Sequence, residues 1–376
     1  SILLFILLAL IFFIEKPKFD FKVLGFSIIV VGLSFFQSSL YGGRSIAAPF
    51  AFVLFTILTP YLLFKIVGMK VFDYLSKILY IIAIYTFFIW LLGTINHSFL
   101  SFLTDLSVTV YDKFNLGDSR PRALLFYTVP FSPISYEIEI LRNNGIFHEP
   151  GALGFWMVIG LAVNLFRNSK LWTKENIWIL LSLFSSFSST AYIQLAIIFC
   201  YFYVVAPSHN LILKIILILG FSFGIGYAYF SISFLGDKIE RIYERESVED
   251  LSSVSTLDRF ANLRRTVNVI QAYPITGYGI VNSDEIISDK TSTLYVGNAS
   301  LGIIARYGIF LGLAFYFYYF RGYRVVSMYY ETLQKNKLLI YFMLASVLLG
   351  GFSQRFINDS VTNVFFIIGL LYNKAE

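Results

Sequence analysis

Three arginines, Arg259, Arg264 and Arg265, fall in a polar stretch from Ser255 to Gly279 that is set between long apolar runs. Guanidinium groups hold phosphate and carboxylate oxygens through charge-assisted, often bidentate hydrogen bonds, so clustered arginines make an anion site. The spacing predicts a helix. Ser255 or Thr256 suits its N-cap, with Asp258 in the first turn, and Leu257, Phe260, Ala261, Leu263, Val267 and Ile270 form an apolar stripe. Pro274 ends it, and Gly277 and Gly279 mark a turn. Arg259 then lies near the positive end of the helix dipole, where a cation is unfavourable unless an anion is bound. Arg264 and Arg265 follow about one and a half turns later, around the polar side. The same pattern also fits an amphipathic helix lying on a bilayer with its arginines on lipid phosphates. Spacing alone leaves both readings open.

Proton transfer has its own candidates. His148 and Glu149 precede Pro150 in a polar segment, and either could take a proton from a hydroxyl. An acid before Pro at a helix start is also ordinary dipole complementation, and a loop histidine is usually only solvated. Arg142 lies seven residues before Glu149. Arg306 stands inside an apolar run, where an arginine costs roughly 2.5–3.5 kcal/mol on insertion scales, so it faces a polar cavity, snorkels or forms an ion pair. Glu137 and Glu139 would share one side of an extended segment, but no histidine adjoins them in sequence, and the pair is a weak Mg²⁺ candidate. No Walker loop, dinucleotide fingerprint or metalloprotease motif is present, so neither metal nor cofactor is expected. The sole cysteine, Cys200, rules out an intrachain disulfide.

The elements that must position these residues are membrane spans. The chain of 376 residues is 57% hydrophobic and only 14% charged, against about 25% charged in an ordinary globular domain. Its apolar runs reach the roughly 20 residues that cross a bilayer. The expectation is an all-α polytopic membrane protein of about eleven spans in one transmembrane domain, residues 1–376. Spans are read at Leu3–Ile14, Val23–Phe36, Ile46–Val67, Ile78–Ile95 and Gly151–Phe166. Asn176–Ala206 is too long for one helix, and the hydroxyl-rich SSFSST within it competes with helix, so it is split near Ser188 into two. Leu211–Phe230, Asn298–Phe320, Leu338–Phe352 and Asp359–Tyr372 complete the set. Residues 97–150 and 231–297 form two long loops, the second holding the arginine helix. Lys16, Lys18, Lys65, Lys70, Lys77, Arg167, Lys170, Lys174, Arg321, Arg324, Lys335 and Lys337 all fall on one side of this count, which the positive-inside rule makes cytoplasmic. Both long loops then share the opposite face. The net charge of +6 is read as this topological bias and not as nucleic-acid binding. The first run, apolar from Ile2 without a basic region or cleavage site, reads as a span and not a signal peptide. With no initiator Met, the count leaves room for a twelfth span upstream.

Several of these residues carry a resemblance. Arg259 fifteen residues before Pro274-x-x-Gly277-x-Gly279, then Asn298-x-x-Leu301 leading into a span with Tyr307-Gly308-Ile309-x-x-Gly312, resembles the O-antigen ligase/polymerase superfamily of bacterial membrane glycosyltransferases. GIFHEPGALGFW, Gly145–Trp156, resembles the segment leading out of the family's other external loop, and SSTAYIQL its Ser/Thr-rich helix start. Leu263 stands where the family often has Trp. Gly297 stands where ligases usually have His, while Phe-His-Glu-Pro is more like the polymerases of Wzy type. The resemblance implies a GT-C-like enzyme of the bacterial inner membrane with its active site facing the periplasm. It would join undecaprenyl-diphosphate-linked oligosaccharides, one as donor and one as acceptor, with inversion. Arg259, Arg265, Arg264, Arg142 and Arg306 would hold the diphosphate, Glu149 or His148 would act as base, and Asn298 and Tyr278 would add substrate contacts. Tyr111, Tyr127 and Tyr136 could stack on sugars, and Arg355, Asn358 and Asp359 could bind them or cap helices. A chain-length regulator is an implied partner. The alternatives are a ligase acting on a lipid core and, from another class, a flippase or exporter, which would place ionisable residues along a path through the spans.

Overall fold

A computed structural model describes residues 2–41, 47–96, 98–99, 102, 123–124, 127–128, 133–135, 138–147, 149–205, 259–279, 299–331, 337–353 and 362–372. Over these residues the chain is a succession of apolar helices: α1 (Ile2–Glu15), α2 (Phe21–Tyr41), α3 (Ala47–Phe52), α4 (Thr59–Val67), α5 (Lys70–Ile95), α6 (Pro150–Asn168), α7 (Lys174–Ser185), α8 (Ser189–Cys200), α9 (Arg259–Ala272), α10 (Ala299–Tyr329), α11 (Lys337–Ser353) and α12 (Val364–Leu371). Among the described residues, five helical stretches are long and apolar enough to cross a membrane: Phe21–Tyr41, Pro49–Val67, Lys70–Ile95, Pro150–Asn168 and Ser300–Tyr329. Ile2–Glu15, Ser189–Val204 and Lys337–Gly351 are shorter apolar helices. This is a polytopic membrane protein. Among the described residues, short strands occur only in the expected first loop, where β1 (Ala123–Leu124) pairs antiparallel with β2 (Tyr127–Thr128) and β3 (Pro133–Ser135) with β4 (Ile138–Leu141).

Several boundaries differ from the sequence expectation. The charged residues Lys70, Asp73 and Lys77 lie within α5 and not in a loop, because Gly68 (φ +65°) ends α4 and the next helix starts two residues later. The span read from Asn298 continues to Tyr329 and is broken once, at Gly308 (φ 79°, ψ 171°). Between α3 and α4 the helix widens to a π-turn over Val53–Leu58 just before Pro60, whose missing N–H cannot complete an ordinary α-turn. The division near Ser188 is present: α7 stops at Ser185, Phe187 takes a left-handed conformation (φ 46°), and the Ser188 hydroxyl accepts from Ala191 N to cap α8. The expected span Leu211–Phe230 and most of residues 231–297 lie outside the described residues.

The chain forms two compact units. The first comprises Ser1–Asp73, Val248–Ile340 and Gly351–Glu376. In it α2 is patterned inside out relative to a soluble helix. Ser27, Ser34 and Gln37 are buried, while Leu24, Ile28, Ile29, Phe35, Phe36 and Leu40 are exposed. That is the arrangement lipid selects, since small and polar residues gain most from facing another helix. Ser27 and Ser34 satisfy their hydroxyls on the Val23 and Val30 carbonyls, both at 2.8 Å. The densest packing is α10 on α12, where a Cβ at Gly322 would overlap the Phe365 carbonyl and one at Gly369 the Tyr318 carbonyl. That closeness stacks Phe315 on Phe366 at 4.6 Å and Tyr323 on Phe365 at 4.0 Å.

The second unit comprises Tyr74–Ser247 and Tyr341–Gly350. Its centre is α6, in which every residue from Gly151 to Phe166 is buried. Gly154 lets α8 approach at Ala191, and Gly350 makes room for Phe155 and Gln194. Gln194 and Ser346 exchange hydrogen bonds with each other's main-chain carbonyls at 2.8 and 2.9 Å. At the far end of α6, Asn164 accepts from Ser76 and donates to Asn176 at 3.0 Å, while Arg167 donates to Ser76 at 3.1 Å.

Candidate functional site

In the first unit the arginine helix is fastened to the broken one. Arg259 is the first residue of α9. Thr266 and Val269 are buried on it, Asn268 and Gln271 are exposed, and Val269 packs on Ala305 of α10 with Ile270, Tyr273 and Tyr278 around them. One face of α9 is thus used on protein. The packed row centres on Thr266 and Val269, neither of them in the stripe read from sequence, because contact with α10 and not apolarity selects the row. Helical register places position 259 in the row of Leu263, Thr266 and Ile270, position 264 with the exposed Asn268 and Gln271, and position 265 between.

The turn after α9 explains the glycine motif. Tyr278 N donates to Ala305 O at 2.9 Å, Gly279 N to Arg306 O at 3.1 Å, and Ile309 N to Pro274 O at 2.8 Å. The turn therefore docks as a short strand-like piece into the break of α10. Gly277 (φ +67°), Gly279 (φ +89°) and Gly308 (φ +79°) hold conformations that side chains resist. A Cβ at Gly308 would overlap the Ile275 carbonyl, and one at Gly277 would strike the main chain of Arg306 and Gly308. Two residues that sequence reading passed over complete the junction. Gln37 Nε2 donates to the carbonyls of Thr276 and Arg306, the latter at 2.7 Å, and the Tyr41 hydroxyl bonds Thr276 Oγ1 at 2.9 Å. Tyr41, Tyr273 and Tyr278 pack ring against ring with centroids 4.4–5.1 Å apart. A glutamine inside an apolar run was the signal available in sequence. Arg306 itself is half-buried, about two turns inside a helix that breaks two residues later.

The second unit gathers the other motif residues. Asn143 is fully buried: its main-chain N donates to Ser185 O at 2.9 Å, and its side chain donates to Ser185 Oγ at 2.8 Å and Thr86 O at 3.3 Å. Its Oδ1 accepts from Gly145 N at 2.9 Å, shaping the turn, and Trp90 Nε1 donates to Leu141 O at 2.6 Å. Arg142 and Glu149, both half-buried, are held at the two ends of this clamped segment. The Arg142 guanidinium is within electrostatic reach of the Tyr192 hydroxyl, which donates to Phe184 O at 2.6 Å. GIFHEPGALGFW and SSTAYIQL, distant in sequence, thus meet around α6. Glu149 occupies the N-cap of α6 with extended backbone (φ −149°, ψ 156°), yet its carboxylate does not cap the helix. Its main-chain carbonyl begins the helix instead, accepting from Ala152 N at 3.1 Å, with Pro150 next. The dipole-complement reading therefore loses its hydrogen bond.

His148, Asn298, Glu137, Arg355, Asn358, Asp359, Tyr111 and Tyr136 lie outside the described residues, as do the side chains of Arg259, Arg264, Arg265, Tyr127 and Glu139. Among the described residues no cluster of three or more His, Cys, Asp or Glu could hold a metal ion.

The long apolar helices define a polytopic membrane protein, in whose first unit an arginine-bearing helix is docked into a broken span. A family model described as O-antigen ligase matches residues 176–317, which runs from α7 through the arginine helix and the break in α10. Over that segment the chain is similar to the O-antigen ligase family. No curated protein matches the chain.

Proposed function

We propose that the protein is a GT-C-like glycosyltransferase that polymerises undecaprenyl-diphosphate-linked oligosaccharide repeat units on the periplasmic face of a bacterial inner membrane. The observation that carries the reading is the fastening of α9, with its three arginines, to the broken α10 that carries Arg306. In the reaction a sugar hydroxyl of the acceptor attacks C1 of the donor sugar. The C1–oxygen bond to the diphosphate breaks with inversion, and its electron pair leaves on the lipid diphosphate. Arg259 and Arg265, assisted by Arg264, Arg306 and Arg142, neutralise the charge that builds on that leaving group. The hydroxyl proton passes to Glu149, or to His148 beside it. Tyr278 and Asn298 add substrate contacts, and no metal takes part.

A second reading is a ligase that moves the finished glycan to a lipid core, and the similarity of residues 176–317 to the O-antigen ligase family favours it. Gly297, immediately before Asn298, favours polymerisation. The test is purified, reconstituted protein incubated with lipid-diphosphate repeat units and no nucleotide, with and without a lipid-core acceptor. Polymerisation gives a ladder of lengthened products from repeat units alone. A single product that forms only with the core acceptor supports the ligase. Repeat units that cross the bilayer unchanged would sink both in favour of a flippase.

A further inference from the structure

Gln37 is 1% exposed, in a helix whose other face is apolar and exposed. Both of its hydrogen-bond partners are carbonyl oxygens, which fixes the amide with its NH₂ end toward them. One partner is Thr276, in the turn that closes the arginine helix, and the other is Arg306, at the break of α10. The Gly308 break diverts the Arg306 carbonyl from regular helix geometry, and Gly279 N and Gln37 Nε2 are its donors. One turn along α2, Tyr41 grips the side chain of the same Thr276. Gly279 lies beside Gln37, its Cβ position at contact distance, 3.4 Å, from Gln37 Oε1. A single side chain therefore ties together the two segments that carry the proposed diphosphate-binding arginines.

We infer that Gln37 is a positioning residue for the lipid-diphosphate site, setting the register of Arg306 and the arginine helix through the Thr276 and Arg306 carbonyls. The inference rests on the diphosphate role given to those arginines above. A buried amide that bridges two carbonyls does more than fill space, since an apolar replacement leaves both acceptors undersatisfied and frees the turn to shift. Gln37 touches no reacting atom and acts through Arg306.

The test measures binding of a prenyl diphosphate, with prenyl monophosphate as comparison, to the full chain in detergent, alongside thermal melting. Wild type is expected to prefer the diphosphate. Gln37→Leu should weaken diphosphate binding by about tenfold, Tyr41→Phe, which keeps the ring packing, by a few-fold, and Ser39→Ala, an exposed change on the same helix, not at all. In an Arg306→Ala background Gln37→Leu should cost clearly less affinity than in wild type, because the part of its effect that acts through Arg306 is already lost. Equal binding by wild type and both Gln37→Leu and Tyr41→Phe overturns the role of Gln37 while leaving the arginine site standing. Fully additive losses also overturn it, since they make Gln37 a general structural residue. Absence of diphosphate preference in wild type removes the arginine site itself, and Gln37's role with it.

Discussion

Arg259 and Glu149 would serve opposite ends of one bond, and the structure treats them differently. Arg259 is the first described residue of α9, and the sequence places it near the positive end of that helix, where its charge is disfavoured until an anion neutralises it. Losing that contact should therefore cost activity and spare the fold. Arg259→Ala is expected to abolish elongation, a drop of roughly 10²–10³ or more, with unchanged yield and melting temperature; normal elongation by this variant removes Arg259 from the site. Glu149 leaves its carboxylate out of the capping of α6. Glu149→Gln should leave stability nearly unchanged and lower kcat by about 10²–10⁴ if the carboxylate accepts the proton. A variant that melts early but turns over normally when folded would return Glu149 to a structural role. His148 is the next residue to test in that event.

At the scale of elements, the account turns on how α9 is held. Gly308→Ala must place a side chain at φ +79° and against the Ile275 carbonyl, so it is expected to destabilise the protein by about 3 kcal/mol or more. Ser188→Ala removes one capping bond from α8 and should cost about 1 kcal/mol. Thermal melts in the same detergent compare the two, and a Gly308→Ala variant as stable as Ser188→Ala would contradict the docking. The Ser188 break was legible because serines compete locally for hydrogen bonds, a property of a few adjacent residues. The glycines of the turn were legible as a turn, but not as a lock onto Gly308, which lies some thirty residues away. Gln37 was legible only as a polar residue closing the second span, because its partners are main-chain carbonyls, which leave no mark in sequence. The packed row on α9 was misplaced for a related reason: Thr266 is buried by what it meets on α10 and not by its own apolarity.

For the whole molecule, the helical membrane architecture follows from composition alone, since lipid leaves the backbone few other ways to cross. Helix ends were less legible, because α5 carries Lys70, Asp73 and Lys77 inside its first turns and α10 carries Arg321 and Arg324 beyond the expected end of its span. Long side chains reach the interface from such positions, so charge does not mark where a helix stops. The expectation that both long loops share one outer face is testable directly. In a Cys200→Ser background, single cysteines placed in residues 97–150 and 231–297 should react with a membrane-impermeant reagent from one side, and cysteines beside Lys170 or Arg324 only from the other. Labelling of the two loops from opposite sides would separate Glu149 from Arg259 and end the proposal of a joint site. The central claim is tested most directly by stoichiometry. In reconstituted protein without nucleotide, each glycosidic bond formed between repeat units should release one undecaprenyl diphosphate, and Arg259→Ala should release none. Lengthening without release, or release without lengthening, would contradict the account.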